Sequence, residues 1–254
     1  MMLRRNKPRK VIVGGGVIAL TMASCALLSS FRESESVAGN AAPVVRITLP
    51  TANAKFQWNT MVNYTISVND KEDGNSEYEE IAPHEVLLQV LFLSDSTQLQ
   101  AYRSERSRTE PEPAALLAIT TLPCFNCHVA NDKLIGPSFQ SIAAKYPYSA
   151  AVEDALSKKI ISGSLGTWGN IPMPPHPEVE AAQAKEIARW ILKSNNDVDH
   201  FYMAGLSGAF KTKMKPVKDA GKGVYLLRAS YADHGSKDDP QQRKRGQHTL
   251  VLRN

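Results

Sequence analysis

The chain has 254 residues, with 30 basic and 25 acidic side chains, a formal charge of +5, 43% apolar residues and three cysteines. Five of the basic residues, Arg4, Arg5, Lys7, Arg9 and Lys10, fall before residue 25 in a stretch without an acid. The remainder balances at 25 basic against 25 acidic residues, so the charge gives no argument for nucleic-acid binding. The apolar share allows a buried core, and the length allows one large domain or two small ones.

Residues 1–24 read as an export signal: a basic start, an apolar run from Val11 to Leu20, then small residues. The run is short for a transmembrane span. It leads into Met22-Ala23-Ser24-Cys25, which resembles the lipobox of bacterial lipoproteins and makes Cys25 a lipidation site. The alternative is an ordinary signal peptide cleaved nearby. Residues 25–42 look like a flexible tether.

Alternating apolar positions then begin, at Val45, Ile47 and Leu49 and again at Val62, Tyr64, Ile66 and Val68. The loop Asp70-Lys71-Glu72-Asp73 reads as a solvated turn in preference to a calcium loop, because it lacks the full oxygen pattern. The run Val86 to Leu93 is apolar on both faces, as in a central strand. These three strands, within 43–96, leave open edges that something must complete. Residues 97–112 are polar and charged, a linker or a solvated helix. After residue 200, strand patterns return at Gly208-Ala209-Phe210, Val224 to Tyr231 and His248 to Leu252.

Between these β regions, residues 113–195 read as helical, and they contain Cys124-Phe125-Asn126-Cys127-His128. Cys-x-x-Cys-His is the attachment signature of a c-type haem. Two thiols one helical turn apart can both reach the ring edge, and the histidine that follows can supply a nitrogen to iron. A redox dithiol or half of a zinc site would need a thioredoxin-like pattern or a second ligand pair, and neither is present. Met173, in Pro172-Met173-Pro174-Pro175, is the candidate second axial ligand: its thioether is soft, and the prolines stiffen its loop. His176 reads as a surface residue. His84, His200, His234 and His248 have no metal-like spacing, and Arg243-Lys244-Arg245 reads as solvated.

Residues 113–195 resemble a class I monohaem bacterial cytochrome c. The resemblance is carried by the Cys124–His128 motif, Gly136-Pro137, the Trp168-Gly169 loop, Pro172-Met173-Pro174 and the helix around Glu186 to Ile191. It implies one covalent haem c, with Cys124 and Cys127 as thioether links, His128 proximal and Met173 distal. It also implies that the Pro137 carbonyl accepts the ring N–H of His128. Trp168 stands near a propionate or in the core. The flanking strands, 43–96 and 200–254, resemble an immunoglobulin-like sandwich, and the expected fold is mixed: an all-α cytochrome domain inserted in an all-β sandwich. The implied function is single-electron transfer by an exported, lipid-anchored, periplasmic or cell-envelope protein, without enzymatic chemistry. The implied partner is a dehydrogenase or another cytochrome. A haem enzyme or sensor with a labile sixth ligand is the alternative.

Overall fold

The computed structural model describes residues 39–100, 102, 113–218 and 221–254. The leader, Cys25 and most of the 97–112 linker therefore lie outside the described residues.

Strand β1 (Val44–Leu49) pairs antiparallel with β2 (Met61–Asp70). The other side of β2 pairs at one end with the two-residue β3 (Gly74–Asn75) and at the other with β6 (Ser207–Lys211). A second antiparallel sheet has the order β5-β4-β7-β8, with β4 at Leu87–Leu93, β5 at His200–Ala204, β7 at Val224–Ala232 and β8 at Arg245–Arg253. Strands from the far end of the chain thus cover edges of the early ones, β6 on β2 and β5 and β7 on β4, while β1 stays at the edge of its sheet. The three early strands do not share one sheet, because β4 belongs to the second.

The inner faces of the two sheets share one core. Tyr64, Ile66 and Val68 of β2 meet Leu88, Val90 and Phe92 of β4 and Tyr225, Leu227 and Tyr231 of β7. The period-two alternation dictates this, since every second side chain of a strand faces the same way. Leu49 breaks the expected pattern. The register shifts between Ile47 and Leu49, and Leu49 turns out to solvent at 43% exposure. Strand β5 carries no alternation in His-Phe-Tyr-Met-Ala, and so sequence pattern does not mark it.

Between β4 and β5 the described residues include α1 (Ala114–Thr121), α2 (Phe139–Lys145), α3 (Ala150–Ser162) and α4 (Ala181–Ser194), and residues 98–100 and 102 are helical as well. Ser138 and Ser149 cap α2 and α3 by accepting from the N–H groups of Ser141 and Val152. Leu116 and Ile119 of α1 and Ile187, Trp190 and Ile191 of α4 form a second core with Phe125 and Phe139. Leu87, on the outer face of β4, is buried in that helical core, while Leu88 is buried between the sheets. That double duty explains a strand apolar on both faces. Its one polar residue, Gln89, is buried on the helix side and donates to the hydroxyls of Tyr102 and Tyr202.

Candidate haem-binding site

Pro123 starts a short 3₁₀ helix, Pro123–Asn126, in which its missing N–H is no loss. The turn closes as the N–H groups of Cys127 and His128 both donate to the Cys124 carbonyl, at 3.1 and 2.9 Å. Cys124, Cys127 and His128 thereby line one cleft with about 310 Å³ of water-accessible space. Ile119, Leu122, Ile142, Ile160 and Ile187 supply apolar walls, and Met173 is on the same lining.

The His128 ring is held on three sides. Its Nδ1 donates to the Pro137 carbonyl at 2.7 Å; a carbonyl can only accept, so the proton sits on Nδ1 and leaves the Nε2 lone pair available as a donor to metal. Phe139 stacks on the ring at 5.7 Å and 21°. At Gly136 a Cβ would stand 2.5 Å from His128 Cε1, so only glycine lets the chain pass this close. Burial holds the imidazole below the usual histidine range, against the opposing bond to Pro137, and so keeps it neutral.

Met173 is positioned by an antiparallel bridge to Ser164: each N–H donates to the other residue's carbonyl, at 3.1 and 2.9 Å. Gly163, where α3 ends, has φ +76°, and a Cβ there would stand 2.7 Å from the Met173 carbonyl oxygen. Helix end and methionine loop are thus locked together. Trp168 is 37% exposed at the cleft, edge-on to Tyr146 at 6.4 Å, with Lys145 Nζ 4.6 Å above its ring. It is therefore not a core residue. His176 departs from its expected surface position. Its side chain is 18% exposed and lines the cleft, its N–H donates to the carbonyls of Ile160 and Ile161, and its Nδ1 lies 3.0 Å from Glu178 Oε1. Nothing in the flanking prolines signals those backbone bonds.

The arrangement fits a haem and not a redox dithiol. Burial pushes the Cys124 thiol up to about 11, whereas a reactive dithiol needs a lowered value. The donors, a neutral imidazole with its outer nitrogen satisfied and a thioether, suit haem iron. The void is bounded by apolar side chains, and the space between Gly136 and His128 admits no further atom. Among the described residues no group of three or more His, Cys, Asp or Glu forms a metal cage.

Comparison with known proteins agrees with this geometry. The cytochrome c family matches residues 118–195. Cytochrome c-551 of Azotobacter vinelandii is 49% identical over 72 residues, which is 28% of this chain and 87% of that protein. Cytochrome c-552 of Nitrosomonas europaea is 46% identical over 69 residues, 27% of this chain and 67% of that protein. The crystal structure of wild-type Nitrosomonas europaea cytochrome c552 aligns at 43% identity over 30% of this chain and 93% of that one, with a TM-score of 0.29. Through residues 118–195 the chain belongs to the cytochrome c family, and it is an electron carrier with one covalently bound haem c.

Proposed function

We propose that the protein is an exported electron carrier in which Cys124 and Cys127 form the thioether links, and His128 and Met173 are the axial ligands. The observation that carries this is the convergence of the Cys124–His128 turn and Met173 on one apolar cleft, with His128 Nδ1 tied to Pro137. The bound haem supplies a one-electron couple. His128 holds its nitrogen toward the cleft in a fixed tautomer, and Phe139 and Gly136 prevent the ring from turning. The Ser164–Met173 bridge fixes the backbone that carries a soft sulfur on the cleft lining; with haem bound, that thioether would raise the reduction potential and would leave no open coordination site for substrate. That closure favours a carrier over a haem enzyme or sensor. Trp168, at the mouth beside Lys145, suits a propionate neighbour.

Electrons pass to or from a soluble or membrane redox protein, a dehydrogenase or another cytochrome, docking at the mouth of the cleft. Leu165 and Ile171 are exposed there, and Lys133 and Lys159 line the same opening, so an acidic partner face is complementary. The flanking strands form one immunoglobulin-like sandwich with the cytochrome region inserted between β4 and β5. Supporting this, β4 pairs with both β5 and β7, β2 pairs with β6, and Leu91 lies opposite His200, so the inserted segment leaves and re-enters at neighbouring points. Lipidation at Cys25, outside the described residues, would hold the carrier at a membrane of the cell envelope.

The test is acid–organic extraction of the full-length protein together with Met173→Ala. Haem should stay on the protein. The variant should have a lower potential and bind carbon monoxide when reduced, as wild type does not. Extractable haem, or carbon monoxide binding by wild type, contradicts the assignment.

A further inference from the structure

The alternation that builds the sandwich ends on two acids. Along β2 the inward positions run Tyr64, Ile66, Val68 and then Asp70. Along β7 they run Leu227, Ala229, Tyr231, and the next is Asp233, just past the strand. Asp233 is 0% exposed, and Asp70 is 5% exposed, so Asp70 is not the solvated turn residue that its acidic loop suggests. They belong to opposite sheets but to the same end of the molecule. Asn40, just ahead of β1, spans that end: its Nδ2 donates to Asp233 Oδ2 at 3.0 Å and to the Gln242 carbonyl at 2.7 Å.

Two buried oxygens here have no partner. Asp70 Oδ1 accepts from the N–H groups of Glu72 and Asp73, at 3.0 and 2.8 Å, but Asp70 Oδ2 has none. Asn40 is 3% exposed, and its Oδ1 is likewise buried and unpartnered. Its two donor bonds both end on acceptors, so the amide cannot be flipped and the orphan is a carbonyl oxygen. Among the described residues neither Asp70 nor Asp233 is in an ion pair with a basic side chain. Arg243 and Lys244 are engaged with backbone: Arg243 donates to the carbonyls of Ala232 and Asp233, and Lys244 Nζ to the carbonyl of Asn40. The Asp233 carboxylate is hydrogen-bonded, Oδ1 accepting from the N–H groups of Gly235 and Lys244 at 3.0 and 2.7 Å and Oδ2 from Asn40, but it has no ion pair among the described residues. Two buried carboxylates without a counterion at one end of the fold, with an orphan oxygen on Asp70 and another on Asn40, call for a positive charge.

We infer that this end of the sandwich binds a divalent cation of the calcium class, through Asp70, Asp233 and the Asn40 side-chain carbonyl, with water completing the shell. The donors are all oxygen, which selects a hard ion over zinc or copper. Calcium accepts the irregular, many-coordinate geometry that magnesium resists. Two carboxylates agree with the absence, among the described residues, of any metal cage of three or more His, Cys, Asp or Glu. They also place the affinity in the weak range of extracellular modules, about 10⁻⁴ to 10⁻³ M. Burial, and then the charges of Asp73 and Asp233, hold the Asp70 carboxyl above its ordinary range, as expected of a group whose counterion is not a side chain.

The test is calorimetric titration of calcium chloride into chelator-stripped, haem-loaded full-length protein, with the melting temperature followed by circular dichroism. Wild type should bind one calcium with a Kd in that range, melt higher as calcium is added, and respond less to magnesium. Asp70→Asn should weaken binding at least tenfold and lose the shift. Asn40→Asp adds a charge to the same shell and should tighten binding, so the inference stays testable if Asp70→Asn does not fold. No heat and no shift up to about 10 mM calcium would overturn it, leaving a protonated Asp70 or a buried water. So would an equal response in Asp70→Asn.

Discussion

The helical region and the sandwich bury apolar surface in different ways. In the sandwich, side chains from two sheets fill the space between them: Tyr64, Leu88, Val90 and Leu227 are each 0–1% exposed within one core shared by both sheets. In the helical region Leu116, Ile119 and Trp190 form a core on one side, but Cys124, His128, Ile142 and Met173 face a cleft that protein atoms do not fill. One region is finished by chain pairing and the other by a prosthetic group. The first is fixed by topology and the second by chemistry, so they should fail under different insults.

The largest effect should come from truncation after Asn195. It removes β5–β8, which are three of the four strands of the second sheet and the β6 partner of β2. Residues 43–96 should then unfold or aggregate, while the haem absorbance survives. Loss of haem binding with a soluble, folded strand region would reverse the comparison. Next comes Gly136→Ala, whose Cβ collides first with the His128 ring, 2.5 Å from Cε1. Haem loading or the six-coordinate spectrum should be lost, with the strand signal in circular dichroism unchanged.

Leu88→Ala and Leu116→Ala remove side chains of equal burial from the two cores. Each should cost about 2–5 kcal/mol in denaturant unfolding. Only the Leu116 variant should bring the loss of the haem signal to lower denaturant than the loss of strand signal. The smallest effect concerns His234. Its Nδ1 and Nε2 lie 3.0 Å from Asp73 and Glu85 carboxylates, and Tyr231 also donates to Asp73. Burial opposes the charged ring, but Glu85 and Asp73 together outweigh it and raise its pKa. The raised value means that this stabilisation is complete below the ordinary histidine pKa and fades as pH rises through the folded-state value. The side chain is 51% exposed, so His234→Gln should cost well under 1 kcal/mol at pH 5 and still less at pH 9. A larger loss at pH 9 would contradict the pairing.

The haem site was legible because its chemistry restricts residue identity. Only cysteine forms the links, a histidine must follow them, and the proline-bounded Met173 had few competitors. Gly136 and Gly163 could be read as glycines, but the contacts that require them, with the His128 ring and the Met173 carbonyl, depend on folding. The strands were legible by alternation in β2 and by apolar residues on both faces of β4, broken only by Gln89, and in the first four residues of β7. Pairing was harder, since Leu91 opposite His200 spans more than a hundred residues of chain and leaves no local trace. Strand β5 has no period to detect. Asp70 looked like part of a polar turn, and its burial follows from the inward phase of β2 continuing one step beyond Val68. The basic run at Arg243 departs from a solvated segment for a related reason: its guanidinium closes the β7–β8 turn by donating to the backbone carbonyls of Ala232 and Asp233.

The central claim, a single covalent haem with a sulfur ligand working as a one-electron carrier, is tested most directly by a spectroelectrochemical titration of the full-length protein. The account predicts one reversible one-electron wave, with a weak near-infrared sulfur-to-iron band present in the oxidised form and lost on reduction. No reversible wave, more than one wave, or an oxidised form without that band would contradict it.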